Sequence, residues 1–274
     1  PKLQCAMREE IVMQGTHYGT ICTDFYVNQK LALKMDLPSS RETLLDMFDR
    51  IKKTHPAMSR FRRYEDELAL ESPEENPEYC WMAIKQTSVR SGWVNPPDVQ
   101  KAYDLHRLIL ETSPYFMSIS PLDVAYLELV YGFDLEAEDN RNEIVFDALL
   151  GDSPLANLVD DEQEMVVDAQ PTIGWGLTLD CAHQASVEIK TRMQPAELVT
   201  GQYLPEPISV FLTVRYVGVM HDLEELQTVF GTLAGYAERL AEERVIPHVV
   251  LPLRETIISR PGLGGGDGGG SVLS

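Results

Sequence analysis

The chain has few cysteines, and none are close together. Cys5, Cys22, Cys80 and Cys181 form no CxxC and no short-spaced pair, which argues against a zinc ribbon or a secreted disulfide scaffold and reads as reduced thiols. Long apolar runs are also missing: the longest clearly apolar strand candidate, Ile208 to Val214, is far too short to span a bilayer. Arg8, Glu9 and Glu10 stand where a secretory leader would need apolar residues, so the expectation is a cytoplasmic protein with no membrane partner. The sequence contains no GxxxxGK[ST], GxSxG, HExxH or EF-hand loop. Gly174-Trp175-Gly176 lacks the third glycine and the strand-to-helix setting of a dinucleotide fingerprint. These absences predict no cofactor and lower the expectation of catalysis.

Positive charge is scarce as well. The 274 residues carry 43 Asp/Glu against 23 Lys/Arg, a net of −20, and such a field repels phosphate backbones, so nucleic acid is not an expected partner. The imbalance is uneven along the chain. Residues 1–63 hold eleven Lys/Arg against seven Asp/Glu, whereas residues 121–170 hold fourteen Asp/Glu and only Arg141. A solvated acidic surface explains this; so does self-association of basic and acidic regions.

What is present is a regular order of elements. Alternation from Ile21 to Leu33 predicts a half-buried strand, and Ser39 with Glu42 has the spacing of a capping box before Leu44, Met47, Phe48 and Ile51. Phe61–Leu70 and Tyr79–Arg90 read as two strands around a turn-rich tip. Pro97 and Asp98 open a second helix that Ser113-Pro114 should stop. About a hundred residues later the order recurs. Val124–Leu135 is a strand, Asn140 and Glu143 repeat the capping-box spacing, and strands follow at Ile173–Leu179, Ala185–Met193 and Ile208–Val217. Leu223, Leu226, Phe230, Leu233, Ala237 and Leu240 then define one face of a helix, and a short strand is expected over Val245–Leu251.

These patterns predict an α+β fold of two similar β-α-β-β(-β)-α halves, residues 1–118 and 119–260, forming a largely antiparallel sheet covered by helices on one face. Residues 261–274 read as a flexible glycine-rich tail.

Four constellations merit attention. Strand alternation places Gly174 and Gly176 on one face and, if the next strands are neighbours, adds Lys190, Arg192 and Arg215; guanidinium groups there would grip an anionic small molecule or acidic peptide. Arg60, Arg62 and Arg63 interrupt an otherwise acidic molecule and suit an acidic protein partner, including residues 121–170 of another copy. Asp180, Cys181 and His183 cluster in a turn, where a metal site or a thiol–imidazole pair is the sharp reading and an ordinary hairpin turn the bland one. Asp160, Asp161, Glu162 and Glu164 lack the glycine and oxygen spacing of a calcium loop. The sequence therefore favours a non-enzymatic interaction or assembly protein, homo-oligomeric or bound to a protein partner. The alternative is a ligand-binding protein or hydrolase-like enzyme.

Overall fold

A computed structural model describes residues 18–37, 41–73, 77–160 and 163–260. The chain is α+β, and the nine strands of the described residues form one sheet in the order β2-β3-β4-β5-β1-β6-β9-β8-β7, every neighbouring pair antiparallel. In chain order these are β1 (Asp24–Leu33), β2 (Arg60–Arg63), β3 (Glu67–Glu71), β4 (Tyr79–Lys85), β5 (Ser88–Val94), β6 (Val124–Glu136), β7 (Thr172–Gly176), β8 (His183–Lys190) and β9 (Pro207–Tyr216). The helices are α1 (Arg41–Thr54), α2 (Val99–Met117), α3 (Arg141–Leu150), α4 (Pro195–Thr200), α5 (Glu225–Leu240) and α6 (Leu251–Ser259).

Alternation decides which side of the sheet is core. On β1, Phe25, Val27, Gln29 and Leu31 are buried while Asp24, Tyr26, Asn28 and Lys30 are half-exposed. The same period runs through β6, where Leu127, Leu129, Tyr131, Phe133 and Leu135 are buried, and through β9 with Ile208, Val210, Leu212 and Val214. Helix α2 packs against β5 and β1, and α5 against β6 and β9. One hydrophobic cluster contains residues from both 18–118 and 119–260, so the two segments share a core.

Several sequence expectations are corrected. Phe61–Leu70 and Tyr79–Arg90 are not single strands; each folds back on itself, β2 on β3 and β4 on β5. Both turns are tight and polar, at Glu65-Asp66 and Gln86-Thr87, and lack the glycine or proline that marks most hairpins in a sequence. Pro114 does not stop α2, which continues to Met117 and ends at Ser118 in the left-handed region (φ 52).

The strand expected over Val245–Leu251 is helical. A π-helical segment, Ala241–Val250, continues α5 directly into α6, with the Leu251 N–H bonding to the Ile246 carbonyl. Pro247 has no N–H to donate, and the wider i→i+5 turn accommodates that missing bond. Ala237, Leu240, Ala241, Val245, Val250 and Leu253 stay buried through the change. Ser39 and the tail 261–274 lie outside the described residues.

Candidate binding surface

Strands β9, β8 and β7 are neighbours, and their registers bring the sequence-selected residues onto the half-exposed side of the sheet. Gly176 pairs with Gln184 and Gln184 with Arg215; Gly174 pairs with Ser186 and Ser186 with Thr213. Lys190 shares this side at the far end of β8, opposite Ser209. Arg192 follows β8 in a left-handed conformation (φ 51) and is exposed. A shallow pocket of about 400 Å³ lies here, lined by Gly174, Gly176, Cys181, Gln184, Thr213 and Arg215 among others.

The cations of this surface are compensated. Arg215 donates through Nε to Glu128 at 2.7 Å and stacks on the Tyr126 ring at 4.4 Å. Lys190 pairs with Glu188 at 2.6 Å. Burial raises the Asp134 carboxyl above its ordinary range, and the Ser209 hydroxyl and Arg192 only partly oppose it. The pocket therefore has a guanidinium in its wall but no uncompensated cation field.

A longer pattern becomes visible once all registers are joined. Arg62, Ala69, Ala83, Arg90, Lys30, Glu128, Arg215, Gln184 and Gly176 form one row across the nine strands. Arg62 pairs with Glu71 at 3.2 Å, Arg90 with Glu67, and Lys30 lies over Tyr126 at 5.3 Å.

Asp180, Cys181 and His183 do not converge on one point. The Cys181 sulfur lies where a Cβ on Gly176 would come within 2.8 Å, whereas the His183 ring packs on Tyr216 (4.9 Å) and Tyr236 (5.7 Å). The Thr178 hydroxyl donates to Asp180 at 2.6 Å, and that bond, with the Ala182 N–H, holds the carboxyl below its usual range. Among the described residues no group of three or more His, Cys, Asp or Glu is placed to hold a metal ion.

Two interior polar clusters were invisible in the sequence. Arg141, noted there only as the lone cation of an acidic region, is fully buried. Its Nε donates to the Thr191 carbonyl (2.7 Å), Nη1 to the Leu204 carbonyl (2.6 Å) and Nη2 to Glu197 (2.9 Å). Burial alone would raise the Glu197 carboxyl, but the N–H groups of Leu204 and Gln194, with Arg141, hold it below its ordinary value. Elsewhere the Ser91 hydroxyl donates to Gln29 Oε1 (2.9 Å) and lies 2.8 Å from His106 Nδ1. His106 is fully buried, which lowers its pKa to about 3. No spacing rule links these partners, which meet only when the sheet forms; a solitary cation in an acidic segment was the sole signal for Arg141.

The sheet ends in two unlike edges. At one, β2 carries Arg60, Arg62 and Arg63 around Phe61, which is 52% exposed. At the other, β7 reads Thr-Ile-Gly-Trp-Gly, and Ile173 is 67% exposed. Residues 142–189, which contain β7, have ten Asp/Glu and no Lys or Arg.

Backbone bonding fixes which groups face outward. The Leu177 N–H bonds the His183 carbonyl and the Ile189 N–H bonds the Pro171 carbonyl, so odd residues of β7 bond to β8 and the backbone of Thr172, Gly174 and Gly176 points away. By the same alternation, Tyr64 bonding to Glu67 leaves Phe61 and Arg63 as the outward residues of β2. No helix of the described residues is long and apolar enough to cross a membrane. No protein-family model matches the chain, and no curated protein matches it either.

Proposed function

We propose that this chain is a non-enzymatic interaction or assembly protein, acting in the cytoplasm, that associates with a protein partner or with copies of itself through its basic β2 end and its acidic 121–170 region. One observation carries the reading: the two edge strands of a single sheet differ in charge, β2 holding three arginines in four residues and β7 lying in a stretch without Lys or Arg. The Arg60–Arg63 strand forms one edge, and the cation-free stretch 142–189 surrounds the other. Such a separation favours contact between unlike ends and disfavours contact between like ones.

The proposal includes the architecture. The order β3-β4-β5-β1 is mirrored by β7-β8-β9-β6, with α1 matching α3 and α2 matching α5. That symmetry supports a duplicated unit whose halves meet at β1 and β6. In this reading the helices cover one face, leaving the side with Tyr26, Lys30, Tyr126 and Arg215 for recognition.

Light scattering across a salt series tests the function. Oligomers or partner complexes should shrink as salt rises, because screening weakens exposed charge pairs. A monomer at every salt concentration, together with no salt-sensitive partner, would contradict it.

A second reading rests on the pocket over Gly174 and Gly176: an anionic small molecule held there by Arg215, with Lys190 and Arg192 lying beyond the pocket at the other end of β8. Its test is a calorimetric titration with inorganic phosphate and with a dicarboxylate. Binding lost in Arg215→Ala supports it, and no heat from either anion removes it.

A further inference from the structure

Natural sheets rarely leave an edge strand unguarded, because free N–H and C=O groups recruit other strands; charge, proline, bulges or covering elements usually blunt them. Strand β2 has such a guard in its three arginines. Strand β7 has none: within Thr172–Gly176 there is no charge and no proline, and four of the five residues are exposed. Glycines occupy two of its three outward backbone positions, so no Cβ screens those groups, and a Cβ on Gly174 would meet nothing closer than 3.7 Å. The edge is exposed, and no described residue bonds to its outward N–H and C=O groups.

Charge selects what can use it. A second β7 would bring two cation-free acidic stretches together, and two β2 edges would oppose arginine to arginine. Only the unlike pair is attractive. Geometry allows that pair as well. Nine alternating strands place β2 and β7 in the same direction, so a copy shifted along the sheet presents its β2 parallel to β7 with the two sheets facing the same way.

Parallel pairing sets an outward residue opposite one bonded inward. Phe61 and Arg63 thus lie beside Ile173 and Trp175 on the core-facing side, joining the exposed Phe61 and Ile173. The chain ends also match. The last turns of α1 and the first residue of β2 carry Arg50, Lys52, Lys53 and Arg60, and the segment entering β7 carries Asp160, Glu164 and Asp168. In a parallel pair both segments lie at the same end. The acids beside β2 are Glu65, Asp66, Glu67, Glu71 and Glu78; Glu71 takes Arg62 and Tyr64, and Glu67 takes Arg90 and Lys85, while Arg63 forms no ion pair with a described residue.

We infer that β7 is an acceptor edge for β2 of a second copy, added in parallel to give a head-to-tail assembly. The inference rests on the proposed self-association and specifies its surfaces. A head-to-tail contact continues until both ends are capped.

The test uses the full chain in three forms: wild type, Ile173→Lys to block the acceptor edge, and a Phe61→Asp/Arg63→Glu double variant to block the donor edge. All three substituted residues are exposed, and circular dichroism confirms that each protein folds. In multi-angle light scattering at low salt, wild type should give oligomers and each variant a monomer. An equimolar mixture of the variants should associate again, since each supplies one intact edge to the other. Oligomers retained by either variant, or a mixture that stays monomeric while wild type assembles, overturn the edge pairing but leave the interaction reading in place. A monomeric wild type removes the self-association on which the inference rests.

Discussion

At one end of the sheet, β2 presents three arginines in four residues, and the half-exposed Arg62 reaches the buried carboxylate of Glu71. At the other end, β7 presents no charge, and its neighbourhood is held from inside by a buried arginine. The Arg141 guanidinium ties α3 to the carbonyls of Thr191 and Leu204 and to Glu197, fixing the connections on either side of α4. At the β2 end Arg63, which forms no ion pair with a described residue, can vary at small cost in stability. The β7 end depends on a desolvated pair, and breaking it leaves one charge stranded.

The largest expected effect is at that pair. Glu197→Ala leaves Arg141 buried without its carboxylate and should lower unfolding free energy by about 3 kcal/mol in a urea titration. Replacing both residues with apolar ones should cost less than the single change, because no unpaired charge remains. A smaller loss from Glu197→Ala than from Glu71→Ala would reverse the comparison between the two ends.

The polar interior near β1 and β5 is neutral instead, and pH exposes the difference. His106 has a folded-state pKa of about 3 against an ordinary 6.5, so the unfolded chain binds the proton first as pH falls. Its contribution is fully present above 6.5 and is lost progressively between 6.5 and about 3, roughly 2 kcal/mol by pH 5. His106→Gln should flatten this part of the stability–pH profile, and an unchanged slope would contradict it.

Glycines separate the sheet's centre from its edge. A Cβ on Gly132 would fall on the Tyr26 ring, so Gly132→Ala should destabilise by about 1–2 kcal/mol, whereas Gly174→Ala on β7 should stay within about 0.5 kcal/mol. Thermal melts of the two variants check the contrast. Glu71→Ala should also cost little, about 1 kcal/mol or less, because Arg62 and Tyr64 turn to water when their partner is removed.

Period-two alternation made most of the sheet readable. β1, β6, β8 and β9 lie within a few residues of their expected spans: β1 because Phe25, Val27 and Leu31 alternate with Asp24, Asn28 and Lys30, and β6 and β9 as β-branched and aromatic apolar runs. The two first-half hairpins were not readable, since Glu65-Asp66 and Gln86-Thr87 carry no glycine. Val245–Leu251 reads as a short strand in the sequence, its Val245, Ile246, Val249 and Val250 being β-branched, but it is helical. The buried spacing Ala237, Leu240, Ala241, Val245 already continued the helix.

For the surface, alternation brought Gly174, Gly176, Lys190 and Arg215 to one side, and the registers agree. It gave no sign that Glu128 and Glu188 neutralise Arg215 and Lys190, because cross-strand partners depend on strand order. Nor did it show that the arginine strand and the acidic stretch occupy opposite edges, which only the assembled sheet reveals.

Amide hydrogen exchange at low and high protein concentration, resolved to single residues by NMR, tests the central claim most directly. Association through the edges should slow exchange at the outward amides of Thr172, Gly174 and Gly176 and of Phe61 and Arg63 as concentration rises, while the inward amides of Ile173 and Trp175, already bonded to β8, should change little. Equal exchange at both concentrations for all five outward amides would contradict the account.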